Sequence, residues 1–141
     1  MTIKQLSIFL ENRSGRLAEV ASVLGEAGIN MTAFSIAENT DFGILRLIVS
    51  DPDKAMQILK EKHFGVNLSS VLCLRCPNVP GALSKALEII KDNDMTIEYM
   101  YAFACGESAN VIIRPDKLEE CIKVLQAHKL ELLAASDLYQ L

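Results

Sequence analysis

The chain lacks any cluster of lysine or arginine, and its formal net charge is −4. A nucleic-acid surface needs concentrated positive charge, so that class of partner is not expected. No apolar run is longer than a strand, which argues against a membrane-spanning helix. The opening Met1-Thr2-Ile3-Lys4-Gln5 has neither the charged nor the apolar region of a secretory signal. The four cysteines are accordingly expected to be reduced thiols, and the cytoplasm is the expected location. Catalytic groupings are missing too. There is no Gly-x-Gly-x-x-Gly or phosphate-binding loop, and no Ser–His pair with an orienting acid stands out. His63 and His128 each fall near a helix end without a second ligand at metal spacing. Neither enzymatic activity nor a cofactor or metal is expected.

Half of the residues are hydrophobic and no segment is of low complexity, so the whole chain should fold. It also says one thing twice. Asn12-Arg13-Ser14-Gly15-Arg16-Leu17 returns 66 residues later as Asn78-Val79-Pro80-Gly81-Ala82-Leu83, sharing Asn-x-x-Gly-x-Leu. The apolar positions Leu17, Val20, Ala21 and Leu24 recur as Leu83, Ala86, Leu87 and Ile90. A second anchor, Pro52-Asp53-Lys54, matches Pro115-Asp116-Lys117 at an offset of 63, implying a second copy three residues shorter. On that alignment Leu17/Leu83, Leu24/Ile90 and Ile58/Cys121 are equivalent buried positions. Two copies are too few for a solenoid but suit two small domains, at 1–70 and 71–141.

Within each copy the hydrophobic period changes in a fixed order. Leu6, Ile8 and Leu10 alternate as in a half-buried strand, followed by the loop from Glu11 to Gly15. A helix then runs from Leu17 to a stop at Gly28. A strand over Asn30–Ala37, a turn at Asn39-Thr40-Asp41, and a strand over Ile44–Val49 follow. Asp51-Pro52-Asp53 opens a second helix with Ala55, Ile58 and Leu59 inward, and Val66–Ser70 forms a fourth strand. The second copy repeats this as strand Val71–Cys76, helix Ala82–Lys91, strands Thr96–Phe103 and Asn110–Ile113, helix Asp116–His128 and strand Leu132–Leu138. The order β-α-β-β-α-β is ferredoxin-like: an α+β fold with both helices on one face of an antiparallel sheet. No linker separates the copies, so a short, stiff join and a fixed orientation are expected.

Cys73-Leu74-Arg75-Cys76 falls on a strand, where positions i and i+3 point to opposite faces. That disfavours both a disulfide and a metal site. Tyr99, Tyr101 and Phe103 alternate with Met100 and Ala102, as expected of a packed sheet face.

A β-α-β-β-α-β unit with Asn-x-Pro-Gly-x-Leu between its first strand and first helix resembles the ACT domain, a regulatory module that binds amino acids. Asn78-Val79-Pro80-Gly81-Ala82-Leu83 carries the motif, while the first copy has Ser14 in the place of proline. Ile97–Phe103 is also similar to the second strand of free-standing tandem ACT proteins. The resemblance implies a ligand seam, with the loop of one unit facing the start of the second strand of the other. One seam would join Asn78, Val79, Pro80, Gly81, Ala82 and Leu83 to Asn30 and Met31. The other would join Asn12, Arg13, Ser14, Gly15, Arg16 and Leu17 to Thr96 and Ile97. The first keeps more of the family pattern, since the family commonly has Asn where Asn30 stands.

These residue types suit an amino acid. Free N–H groups at a helix start can hold a carboxylate, glycine permits the tight turn, and an Asn amide can serve either charged group. Each also fits a plainer role, as helix cap, turn or core residue. The leading expectation is a non-catalytic sensor of a free amino acid that reports occupancy to a regulated enzyme, with a homodimer as a further expectation. Its rival is a protein–protein interaction module with vestigial sites.

Overall fold

The structure, a computed structural model, describes residues 1–11, 13–38 and 41–140. Asn12, in the first loop, and Asn39 and Thr40, in the first expected turn, lie outside the described residues, as does Leu141. The elements in chain order are β1 (Ile3–Glu11), α1 (Arg16–Glu26), β2 (Met31–Glu38), β3 (Phe42–Val49), α2 (Pro52–Glu61), β4 (Gly65–Pro77), α3 (Ala82–Asp92), β5 (Ile97–Cys105), β6 (Ser108–Pro115), α4 (Leu118–Ala127), β7 (Glu131–Leu132) and α5 (Ala135–Tyr139). The expected fourth strand of one copy and first strand of the next are a single strand, β4.

Two compact units emerge: Lys4–Ser69 with Leu138–Leu141, and Ser70–Asp137 with Met1–Ile3. We call them the first and second unit. In the first, β2 is the edge strand, followed by β3, β1 and the start of β4. In the second, the strands run β5, β6, the end of β4, then β7. Each unit buries its own core between sheet and helix pair. Leu6, Ile8, Leu45 and Leu47 pack on Val20, Leu24, Ala55 and Leu59 in the first. Leu72, Leu74, Val111 and Ile113 pack on Ala86, Ile90, Cys121 and Leu125 in the second.

The duplication holds more strictly than the sequence anchors suggest. Leu6 pairs with Leu47, and 66 residues on, Leu72 pairs with Ile113. The bulge between Met31 and Ala33 recurs between Ile97 and Tyr99. The left-handed residues His63 and Lys129, each just after a helix, are also 66 apart. The offset is therefore constant, and no three-residue deletion exists. The second anchor is a coincidence: Pro52 opens α2 behind the Asp51 cap, whereas Pro115 ends β6. Ile58 is equivalent to Val124, and Cys121 to Ala55. Leu24 and Ile90 are equivalent and buried, as expected.

Two other expectations are corrected. Leu17 is 45% exposed and Ala21 is exposed, because the inward face of α1 runs through Val20 and Leu24 with Val23 and Ala27 on one side, which leaves Leu17 and Ala21 at its opposite margin. The last strand stops at Leu132, and the rest of the expected strand, from Ala135, is in α5 instead. Short apolar runs do not distinguish strand from helix by period alone. In α5, Leu138 is fully buried and the Tyr139 hydroxyl accepts the Lys4 backbone N–H at 2.8 Å. No helix among the described residues is long and apolar enough to cross a membrane.

Candidate functional site

Both loops end in the same backbone conformation. Gly15 and Gly81 directly precede α1 and α3 with φ +88°, and no side chain caps either helix. An L-residue is disfavoured there by about 1–2 kcal/mol, so glycine is required for its backbone freedom. Crowding is not the reason, since a Cβ at either position would meet nothing within 4 Å. The helices thus begin without a side-chain acceptor at their first N–H groups. In the second loop the Ala82 N–H reaches the Val79 carbonyl at 3.3 Å, and the first helical bond is Lys85 N–H to Gly81 at 3.3 Å. The N–H groups of Leu83 and Ser84 lie between them at the positive end of the helix dipole.

Around those equivalent starts the two units diverge. In the second, Val79, Pro80, Gly81 and Ala82 form one wall of a hollow of about 450 Å³. Lys129 and Leu130, from the turn after α4, and Glu131, at the start of β7, form the other wall, with Arg75, Cys76, Pro77 and Lys85 completing it. Arg75 lies 3.7 Å from Glu131. In the first unit Ala82 is replaced by Arg16 and Leu130 by Phe64. The Arg16 guanidinium sits 4.2 Å from the centre of the Phe64 ring and 2.8 Å from the Glu19 carboxylate, and its side chain is only 11% exposed. The space that is open in one unit is filled by the other unit's own arginine. A recess of about 110 Å³ in the first unit, bounded by Leu10, Arg13, Arg16, Leu17, Ile36 and Gly43, lies on the other side of Arg16 and includes neither Phe64 nor Glu19.

The other expected site residues fall as follows. Asn78 is exposed, and its backbone N–H donates to the Glu107 carbonyl at 2.9 Å. Ser14 is exposed on the first loop, and Leu83 is half-buried against the second core. Asn30 and Thr96 occupy equivalent positions before the edge strands. The Asn30 N–H donates to Ser50 Oγ at 2.9 Å, and the Thr96 N–H to an Asp116 carboxylate oxygen at 3.0 Å. Both side chains start from a pinned, exposed stretch of backbone. Met31 and Ile97 pack partly into the core of their own unit. Lys85, Lys129, Leu130 and Phe64 were not anticipated. Arg16 and Phe64 are 48 residues apart, and no local pattern announces such a contact.

The cysteines all lie in the second unit. Cys76 packs partly against the helix-side core, whereas Cys73 is buried outside that cluster, so the two point apart as expected. Burial pushes the Cys73 thiol up to about 12 and, with Asp116 adding to it, the Cys121 thiol up to about 11. Both are inert neutral groups. Among the described residues no group of three or more His, Cys, Asp or Glu could hold a metal. His128 Nδ1 lies 2.9 Å from the Val124 carbonyl at the end of α4.

A family model described as an ACT domain pair matches residues 1–141. Protein BT0572 from Bacteroides thetaiotaomicron is 59% identical, with a TM-score of 0.97 over 100% of this chain and 98% of that one. The ligand-free regulatory subunit of aspartate kinase from Thermus thermophilus superposes with a TM-score of 0.63 at 14% identity, covering 88% of this chain and 90% of that one. Its counterpart from Thermus flavus gives 0.63 at 16% identity, with 88% and 90% covered. At those identities the likeness is one of fold. No curated protein matches the chain.

Proposed function

The chain belongs to the ACT domain pair family, and from that premise we propose that it is a non-catalytic regulatory protein that binds a free amino acid where one ACT unit meets another. The carrying observation is the pair of left-handed glycines, Gly15 and Gly81, each placing a helix start with uncapped N–H groups beside the family loop. The favoured seam is Asn78, Pro80 and Gly81 against Asn30 and Met31. The ligand carboxylate takes the N–H groups of Leu83 and Ser84, and its ammonium takes an Asn78 or Asn30 amide oxygen. The second seam, the loop from Asn12 to Leu17 against Thr96 and Ile97, is weaker because Arg16 is committed to Phe64 and Glu19. Regulation follows because a ligand touching two units stabilises the arrangement in which both touch it, by its difference in affinity between states. The output is directed at a partner enzyme, in line with the regulatory subunits that share the fold.

Isothermal calorimetry with the twenty amino acids tests this. One or a few should bind the parent protein, and Asn30→Ala should weaken that binding by about 1–3 kcal/mol, the range for a hydrogen bond to a charged group. Binding unchanged in Asn30→Ala but lost in a Thr96 variant would transfer the site to the second seam. Absence of any amino-acid binding would leave the interaction-module reading. That alternative is favoured by Phe34 and Ile36, 61% and 53% exposed on the edge strand β2.

A further inference from the structure

We infer that the hollow of the second unit, on the far side of the same loop from the proposed seam, binds a small carboxylate with a short apolar body. Its volume of about 450 Å³ lies within the range of small-molecule sites, and Val79, Pro80, Ala82 and Leu130 give it an apolar lining. Its charge is lopsided. Arg75, Lys85 and Lys129 line it against a single acid, Glu131, which is already paired with Arg75. Among the described residues neither Lys85 nor Lys129 has a carboxylate at ion-pair distance.

The first unit supplies an internal comparison. At the equivalent place an alkyl-borne cation, Arg16, lies on Phe64 and closes on the acid Glu19. In the second unit the plug is reduced to Ala82, the ring to Leu130, and the acid is reversed to Lys85. Loss of the plug opens the space, and reversal of the acid makes its wall attract an anion. An occupant complementary to this wall carries the negative charge that Glu19 carries in the first unit, together with apolar atoms to cover Ala82 and Leu130. This site shares Pro80 and Gly81 with the proposed seam but differs from it in needing Lys129 and Leu130 and in making no use of Asn30 or Met31.

The test is a titration of the full chain, labelled for backbone amide resonances, with hexanoate. Hexylamine serves as the same chain with opposite charge, and acetate as the same charge without the chain. Hexanoate should move the amides of Lys85, Lys129 and Leu130 saturably and leave Glu19, His63 and Phe64 in place, with both controls at least tenfold weaker. Rebuilding the plug with Ala82→Arg, Lys85→Glu and Leu130→Phe should abolish the response. If that variant does not fold, the exposed pair Lys85→Ala and Lys129→Ala should reduce the affinity at least tenfold. No shift at Lys85, Lys129 and Leu130, equal response to hexylamine, or undiminished binding by a folded variant would each overturn the proposal. A free amino acid that moves Asn30 and Met31 while hexanoate moves nothing would sink the hollow and leave the seam reading intact.

Discussion

The two units share backbone and differ in what stands at one helix start. In the first, Arg16 turns back over Phe64 and ties to Glu19; in the second, Ala82, Leu130 and Lys85 leave the same region open. The conserved part is what the fold needs: Gly15 and Gly81 at φ +88°, Leu24 and Ile90 in the core. The variable part costs the fold little, because a filled hollow and an open one are both compatible with the same sheet and helix pair. The two copies keep one scaffold while this region is closed in one and open in the other.

The strongest challenge to that equivalence is in the core. Leu24→Ala and Ile90→Ala should each destabilise by about 2–5 kcal/mol, as a large-to-small change in a packed core does. Urea unfolding of both variants checks this, and a cost below 1 kcal/mol for either would break the equivalence. Next come the glycines. Gly15→Ala and Gly81→Ala should cost a similar amount, about 1–2 kcal/mol each, since the penalty is set by backbone conformation and no neighbour crowds the new methyl. Unequal costs would mean that one loop relaxes to another conformation.

A smaller effect separates the units. Arg16→Ala removes a cation over a ring and an ion pair, for a loss of about 1 kcal/mol. The reverse change, Ala82→Arg, should be close to neutral because it enters open space. Thermal unfolding of the pair would show the asymmetry, and equal destabilisation would refute it. A last effect, seen only at alkaline pH, is confined to the second unit's thiols. Cys73 and Cys121 hold their protons to about 12 and about 11 when folded, against 9.0 in their absence of burial. Between these values the unfolded chain binds fewer protons than the folded one, so stability should fall as pH rises above about 9. Replacing both by Ala should flatten that decline, measured as the melting temperature from pH 8 to 10.

Much of this was legible in the residues. The 66-residue return of the Asn-x-x-Gly-x-Leu loop and the strand and helix periods follow from local patterns, whereas the constancy of that offset and the merging of two expected strands into β4 do not. Pro-Asp-Lys misled because one tripeptide does two jobs. After Asp51, which accepts the Lys54 N–H at 3.2 Å, it starts a helix; at Pro115 it ends a strand, and Asp116 instead holds the Thr96 N–H. The outward turn of Leu17 was hidden because the apolar period does not say to which side of the Val20–Leu24 stripe the core extends, and Val23 and Ala27 take that side. The arginine plug was out of reach, since only tertiary packing brings Arg16 to Phe64.

The last residues of α5 have a consequence for synthesis. Leu138 and Tyr139 belong to the same compact unit as Lys4–Ser69, with Tyr139 bonded to the Lys4 backbone. A ribosome delivers residues 4–69 first and the residues that complete that unit roughly 70 residues later, about 4–14 s at ordinary elongation rates. During that interval the nascent first unit lacks Leu138 and the Tyr139 hydroxyl that meets Lys4, whereas the second unit already has Met1–Ile3 waiting for it. The earlier-made half of this chain is therefore the later one to be finished.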